Sequence, residues 1–179
     1  RLTKYGIKID KNDSKVQTLL NEVKDREFIG YSYDGADASF ELLARRIIGE
    51  IPKYITIHMY DVTVKKSESG EIVSSAKAQL EVDKKLSICE GEGNGPVNAL
   101  DNAIRNNIDN LGKYSKYLKD LKLVDYKVRI LNTGTEAVTR VSIESTDSNG
   151  KNWFTIGVST NIIDASFKAL IDSLDYKLF

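Results

Sequence analysis

The chain has 179 residues, of which 41% are hydrophobic and 29% are charged, and its 26 basic residues balance 26 acidic ones. Nucleic-acid-binding proteins usually carry an excess of basic residues, and this chain has none. The sequence also lacks a run of about 18 apolar residues, the length needed to span a membrane. Composition therefore argues against a nucleic acid and against a membrane as partners. One cysteine and no signal-like segment fit a reducing compartment and predict a cytoplasmic protein. Because the sequence begins at Arg1, we expect a piece of a longer protein.

Residues 1–53 are predicted to form a helical connector subdomain. A first helix is indicated by apolar side chains that recur on one helical face, namely Val16, Leu19, Leu20 and Val23. Asp34 is predicted to cap a second helix, with Asp37 near its positive end, and Gly49 followed by Pro52 is predicted to end it. Two short helices bury little surface alone. We therefore expect the connector to pack on another part of the parent chain or on a second subunit.

Residues 54–179 repeat one pattern at an offset of 66 positions. The matched sets are Tyr60, Val62 and Val64 with Tyr126, Val128 and Ile130, and Gly91, Ala99 and Ala103 with Gly157, Ala165 and Ala169. Two copies are too few for a solenoid. We predict an α+β regulatory domain of duplicated β-β-β-α units with pseudo-twofold symmetry, repeat one at 54–112 and repeat two at 123–179, each antiparallel sheet covered by helices on one face. Equivalent surfaces of this kind favour ligand sensing and self-association over chemistry.

In repeat one, strands are predicted at 54–65 and 86–90, with turns at 67–70 and 83–85, and the strand between these turns is predicted to carry Ala76, Ala78, Leu80 and Val82 on one face and polar residues on the other. The following helix is predicted to run from Pro96 to Leu111 and to end at Gly112. In repeat two, strands are predicted at 123–131, 137–145 and 153–158, and turns at 132–134 and 147–150. Its helix is indicated by apolar residues at helical spacing: Ile163, Phe167, Leu170 and Leu174.

Three alternating glycines between a strand and a helix give the strongest local signal, in Glu90-Gly91-Glu92-Gly93-Asn94-Gly95-Pro96-Val97. The spacing differs from G-x-G-x-x-G, and no Lys-Ser/Thr follows as in a P-loop, so nucleotide binding is disfavoured. Two interpretations stay open and are compatible. The glycines permit a backbone path with positive φ before Pro96 opens the helix, or amides at the helix start bind a small anion such as an amino-acid carboxylate.

No catalytic set and no metal-ligand spacing is visible in the sequence. The only histidine, His58, is predicted to be packed, Cys89 to be a buried inert thiol, and Trp153 to pack in the core. Candidates for an ammonium partner are the acidic residues Asp61, Glu90, Glu92 and Asp125, each of which also fits a solvated surface charge. Asp61 and Asp125 stand out because each adjoins a matched tyrosine of the repeat.

Two long segments resemble one known family. The run Gly91-Glu92-Gly93-Asn94-Gly95-Pro96-Val97-Asn98-Ala99-Leu100 resembles the G-x-G-N-G-P-V-x-A-L segment in the C-terminal regulatory domain of 2-isopropylmalate synthases and citramalate synthases. Residues 30–43 resemble the connector that precedes this domain, notably in the citramalate branch. Residues 139–145 and 153–166 are similar to the same branch.

The resemblance implies a regulatory domain that forms a homodimer and binds a branched-chain amino acid as feedback inhibitor. It implies isoleucine as effector in the citramalate branch and leucine in the 2-isopropylmalate branch. The family's catalytic module is a metal-dependent (β/α)8 barrel that condenses acetyl-CoA with a 2-oxo acid, and such a barrel needs roughly 250 residues. We therefore expect this chain to be non-catalytic and without a cofactor, and the parent acyltransferase to carry the divalent metal elsewhere.

A free amino acid needs an anion site, a cation site and an apolar pocket. The carboxylate is expected at the glycine loop, formed by Gly93, Asn94, Gly95 and Pro96. The ammonium is expected at Asp61, with Tyr60 as a wall and Asp125 as a second candidate. The apolar wall is expected to comprise Leu80, Val82, Ile88 and Val97. A dimerisation module without a ligand is the alternative, and a small stand-alone enzyme is disfavoured by the missing catalytic set.

Overall fold

The computed structural model describes residues 1–132 and 137–179. Most of the turn predicted at 132–134 lies outside these residues. The chain divides into two compact units, one comprising Arg1–Lys53 with Lys122–Lys177 and Phe179, the other Tyr54–Leu121 with Leu178. No helix among the described residues is long and apolar enough to cross a membrane.

The connector holds two helices, α1 (Ser14–Phe28) and α2 (Asp37–Ile48). Gly49 ends α2 in the left-handed conformation, with φ 86°, as predicted. The predicted cap at Asp34 is wrong, because α2 begins at Asp37 and its preceding residue, Ala36, makes no side-chain cap bond. Asp37 is instead held from outside the helix, where its carboxylate accepts bonds from Lys4 Nζ at 2.7 Å and Tyr5 Oη at 2.6 Å.

The connector has an apolar core of its own. Its buried members are Ile7, Leu19, Tyr33, Ala36, Phe40, Leu43, Ala44 and Ile156. Among these described residues, only Ile156 comes from the second repeat, so the connector packs on that repeat and accepts one of its side chains. Arg140 Nε adds a bond of 2.7 Å to the carbonyl of Gly30.

The first repeat forms one antiparallel sheet in the order β1-β2-β3, with β1 at Ile55–Lys66, β2 at Ile72–Val82 and β3 at Lys85–Gly93. Alternate residues of β2 are buried beneath helix α3 (Pro96–Asn106), as the period-2 pattern predicts. Asp83 and Lys84 form the β2–β3 turn with φ of 54° and 61°, which matches the twist of a tight hairpin.

The predicted end of α3 at Leu111 is wrong. The helix ends at Asn106, and a 3-10 segment follows at Ile108–Tyr114. Asn107 explains the early stop, since its side-chain amide donates to the carbonyls of Ala103 at 2.8 Å and Glu90 at 3.1 Å. A side chain that bonds the backbone one turn back competes with further helical hydrogen bonding.

The second repeat has the same element order: β4 (Lys122–Ile130), β5 (Thr139–Thr146), β6 (Asn152–Ser159) and α5 (Ile162–Leu178). A register shift recurs at the matched position of each first strand, between Ile57 and Met59 and between Leu123 and Asp125. A bulge of this kind inserts one extra residue into a strand and changes the face to which the following side chains point. The α+β fold with duplicated β-β-β-α units is thus confirmed.

Coverage by helices differs between the two sheets. In the first sheet, the prediction of one covered face holds, since Leu86 and Ile88 are 59% and 55% exposed on the other face. In the second sheet, the face opposite α5 is also partly covered. Ile156 and Val158 point to that face and are buried against the connector.

Candidate functional site

Gly91 and Gly93 belong to strand β3, and their role is close packing. A Cβ on Gly91 would lie 2.3 Å from the amide nitrogen of Ala103, and one on Gly93 would lie 2.7 Å from that of Ala99. Neither glycine has positive φ, and Gly95 is extended with φ −154°. The expected positive-φ path was therefore wrong, because the glycines instead let α3 approach the sheet.

The start of α3 offers fewer amide donors than the glycine pattern suggests. Pro96 is the first helical residue and has no N–H, while the amide of Asn94 donates to Asn98 Oδ1 at 3.1 Å. Gly95 makes no side-chain cap bond. An anion at this loop would therefore compete with Asn98 for the amide of Asn94.

The face of the first sheet opposite α3 carries a row of charges. Asp61, Lys77 and Glu90 are register partners across β1, β2 and β3, and Lys77 Nζ lies 3.2 Å from Glu90 Oε1. These side chains line an open hollow of about 580 Å³, which also reaches Asn106 at the end of α3. Its other polar lining residues are Thr63, Ser75 and Glu92. The hollow offers carboxylates to a cation and one ammonium to an anion.

An apolar row adjoins the charged row on the same face. Met59, Gln79 and Ile88 are register partners, and Met59 and Ile88 are 58% and 55% exposed. Successive residues of a strand alternate between faces, so the two rows lie two residues apart along β2. This open face therefore presents acidic, basic and aliphatic groups side by side.

His58 lies at the bulge of β1 on the edge of this face. Its Nε2 is 2.7 Å from Glu81 Oε2, and its side chain is 43% exposed. The prediction of a packed histidine was wrong, because the register shift turns this position towards solvent.

The structure separates the residues predicted to form the apolar wall. Ile88 shares the open face with Asp61, whereas Leu80 and Val82 point to α3 and are 0% and 4% exposed. Tyr60 pairs with Ala78 and so also points towards α3. Beyond β3, Gly95, Pro96 and Val97 lie half-buried at the start of α3. Of the predicted side chains, Asp61, Glu90, Glu92 and Ile88 thus share the hollow's face.

Asp125 lies in the other compact unit. Its carboxylate is 2.9 Å from Lys127 Nζ and accepts the amide of Tyr126, and both contacts hold its pKa below the usual range. The matched position of Asp61 is Lys127, and that of Asp125 is Met59. The two aspartates thus adjoin matched tyrosines but do not themselves occupy matched positions.

Lys77 and Met59 are the residues that sequence reasoning missed. Lys77 stands between two alanines of β2, on the face of the strand that the sequence predicts to be polar. Its place between Asp61 and Glu90 depends on the register of both hairpins. The turn ending at Gly70, with φ 88°, was the available signal for the first register.

The matched face of the second sheet has a different chemistry. Positions equivalent to Glu90 and Glu92 are Ile156 and Val158, both buried against the connector. The first repeat thus has acidic residues at the positions where the second repeat has apolar residues buried by the connector. This difference is consistent with a face that stays open for a polar ligand.

The described residues contain neither an accessible cysteine thiol nor a cluster of metal ligands. Cys89 is fully buried, and burial raises the pKa of its thiol, so the prediction of a buried thiol is confirmed. Trp153 is buried as predicted and donates from Nε1 to the carbonyl of Ser173 at 3.2 Å. Residues 1–132 and 137–179 hold no group of three His, Cys, Asp or Glu residues placed for a metal ion.

Comparison with known proteins finds one domain family and a consistent set of relatives. The profile of the LeuA allosteric (dimerisation) domain matches residues 34–178. The chain is 43% identical over 177 residues to an (R)-citramalate synthase of Geobacter sulfurreducens, covering 97% of the chain and 33% of that protein. It is 40% identical over 181 residues to an (R)-citramalate synthase of Aquifex aeolicus, covering 99% and 34%.

A 2-isopropylmalate synthase of Clostridium acetobutylicum is similar over a shorter stretch. It is 34% identical over 115 residues, which cover 63% of the chain and 18% of that protein. The chain spans about a third of the length of the citramalate synthases that it matches.

Proposed function

The chain belongs to the LeuA allosteric (dimerisation) domain family, and from this membership we propose that it is the feedback regulatory and dimerisation domain of a citramalate synthase, with isoleucine as effector. The support for this branch is the match over nearly the whole chain to proteins named (R)-citramalate synthase. The acetyl-CoA-dependent reaction and its divalent metal belong, in this proposal, to parts of the parent protein outside this chain.

The observation that carries the binding proposal is the open face of the first sheet. Asp61 and Glu90 are suited to an ammonium, Lys77 to a carboxylate, and Met59 and Ile88 to an aliphatic side chain. Hydrogen bonds to charged groups contribute about 1.5–3 kcal/mol each, more than neutral ones. The glycine loop before α3 is the carboxylate site that the sequence predicts, and for the Asn94 amide to bind a carboxylate there it would have to leave Asn98.

Calorimetric titration of the purified chain with isoleucine, leucine and valine tests the effector. We expect isoleucine to bind most tightly, although one methyl placement is worth only about 1–3 kcal/mol. Tighter leucine binding would reassign the chain to the 2-isopropylmalate branch. Neither heat nor a melting shift with any of the three would favour a dimerisation module without a ligand.

Asp61→Asn tests the ammonium site directly. Loss of a charge-assisted bond should weaken isoleucine binding about 10- to 150-fold, with little change in stability because Asp61 is exposed. Asp109→Asn is the matched control, since Asp109 is exposed in the same unit and pairs with Lys119 at 2.8 Å. Unchanged affinity in Asp61→Asn would remove this residue from the site.

The proposed homodimer rests on the family and on matched apolar residues. Val64 and Ile130 occupy matched positions in the last residues of β1 and β4 and are 53% and 67% exposed. Equivalent surfaces of this kind can pair about a twofold axis. Light scattering should give twice the chain mass of 20.0 kDa, and a monomer at micromolar concentration would count against the dimer.

A further inference from the structure

Ser39 joins three elements of the unit that combines the connector with the second repeat. Its hydroxyl donates to Asp172 Oδ2 on α5 at 2.8 Å and accepts the amide of Ile156 on β6 at 3.0 Å. Ser39 itself lies on α2 and is 3% exposed. One small side chain therefore links the connector to both the sheet and the helix of the second repeat.

Arg46 reinforces this link two turns further along α2. Its Nη1 lies 3.3 Å from Asp172 Oδ1, and its Nη2 lies 2.5 Å from Asp175 Oδ2. The Asp175 side chain is fully buried, and burial raises the pKa of Asp172 against the opposing effect of Arg46. We call Ser39, Arg46, Asp172 and Asp175 the junction.

The junction is polar, whereas the apolar cluster of the connector takes one described side chain, Ile156, from the second repeat. Another polar contact between the connector and this repeat is the bond of 3.0 Å from Tyr176 Oη to Glu41 Oε2. Replacing a buried ionic set by well-packed apolar residues is often neutral or stabilising, whereas removing one partner is strongly destabilising. The junction is thus poorly explained as a source of stability, and its directional bonds instead fix the register of α2 against α5.

The register matters because two carboxylates on α5 share one guanidinium. Asp172 and Asp175 are three residues apart and so lie on one face of the helix. A shift of α5 along or about its axis would change both distances to Arg46 at once. Packed elements of this kind move between discrete arrangements rather than deforming continuously.

We propose that the junction is the relay through which a change in the second repeat reaches the connector. The proposal rests on the proposed feedback function. The family profile begins at residue 34, so the junction links α5 to the first helix of the matched domain, while residues 1–33 of the connector lie outside the match. In this proposal Ser39 and Arg46 are positioning residues, and the effector binds on the open face of the first sheet.

Ser39→Ala in the full-length enzyme tests the relay, because it removes two hydrogen bonds without burying an unpaired charge. We expect isoleucine affinity by calorimetry to stay within about threefold of wild type, and the turnover that remains at saturating isoleucine to rise at least threefold, because loss of coupling reduces the extent of inhibition and not the binding of the effector. Turnover without isoleucine should be unchanged. Arg46→Met combined with Asp175→Asn is a second variant that leaves Asp172 as the one carboxylate.

Lys127→Met is the matched control, since Lys127 is an exposed residue of β4 in the same unit and pairs with Asp125 at 2.9 Å, outside the junction. It should leave inhibition unchanged. Wild-type inhibition in both junction variants would overturn the relay, and so would a parallel loss of affinity and inhibition, which would place the junction in the binding site. A wild-type enzyme that neither binds nor responds to isoleucine would instead overturn the proposed function, and the relay with it.

Discussion

Asn102 and Lys168 occupy matched positions in the two repeats and make the same contact. Asn102 Nδ2 donates to the carbonyl of Glu92 at 2.8 Å, and Lys168 Nζ donates to the carbonyl of Val158 at 3.3 Å. Each bond ties the helix to the end of the third strand. Lys168 also lies 2.9 Å from Asp164, so the second repeat uses an ion pair where the first uses neutral amides. The architecture is shared, and the charges have diverged.

Lys168→Asn should therefore be well tolerated. The ion pair with Asp164 is partly exposed, and such pairs contribute about 0–1 kcal/mol. Asn102→Leu should cost more, about 0.5–1.5 kcal/mol, because the Glu92 carbonyl loses its bond. Urea unfolding midpoints at constant m-value measure both changes, and a larger loss in Lys168→Asn would contradict the shared tether.

Gly91→Ala should destabilise the first repeat. Its Cβ would lie 2.3 Å from the backbone of Ala103, so α3 would have to move, and overpacking of this kind costs about 1–3 kcal/mol. Gly95→Ala is the matched control, because no atom lies within 4 Å of its Cβ and its φ is extended. If Gly91→Ala and Gly95→Ala lower the free energy of unfolding by the same amount, the close-packing role of Gly91 is refuted.

Asn161→Ala should destabilise the second repeat by about 1 kcal/mol. Asn161 caps α5, and its Oδ1 accepts the amides of Ile163 at 2.9 Å and Asp164 at 3.2 Å. Thr160→Ala changes an exposed neighbour and serves as control. Thermal unfolding compares the two variants, and equal melting temperatures would show that the cap contributes nothing.

Asp37 should make stability depend on pH in the acid range. Lys4 and Tyr5 lower its pKa, so its contribution is present above the ordinary aspartate pKa of about 3.9 and is lost as pH falls through the lowered value. The stability difference between wild type and Asp37→Asn should shrink below about pH 4. Asp25→Asn on α1 is the charge-matched control. A difference that is constant from pH 6 to pH 2 would contradict this assignment.

Much of the fold could be predicted because its signals are local. Alternating apolar residues marked β2, and the offset of 66 positions marked both repeats before any contact was known. The end of α3 could not be predicted, since it depends on the Asn107 side chain reaching both Ala103 and Glu90. The role of Gly91 likewise depends on how closely a helix 12 residues away approaches it.

The candidate site was only partly predictable for the same reason. Asp61 could be selected by its place beside Tyr60, but its neighbours Lys77 and Glu90 follow from two hairpin registers. Alternation placed Leu80 on the apolar face of its strand, which lies beneath α3, whereas its separation from Asp61 depends on the register of β1 against β2. Which residues of different strands share a face of the sheet depends on contacts between residues that are distant in the sequence.

Inhibition of the full-length enzyme by isoleucine tests the central proposal most directly. The enzyme is compared with a version that lacks residues 54–179 of this chain, and turnover without isoleucine is measured in both. We predict that the full-length enzyme is inhibited and that the shortened enzyme, while still turning over, no longer responds to isoleucine. Equal inhibition of both forms would contradict a regulatory role for this domain.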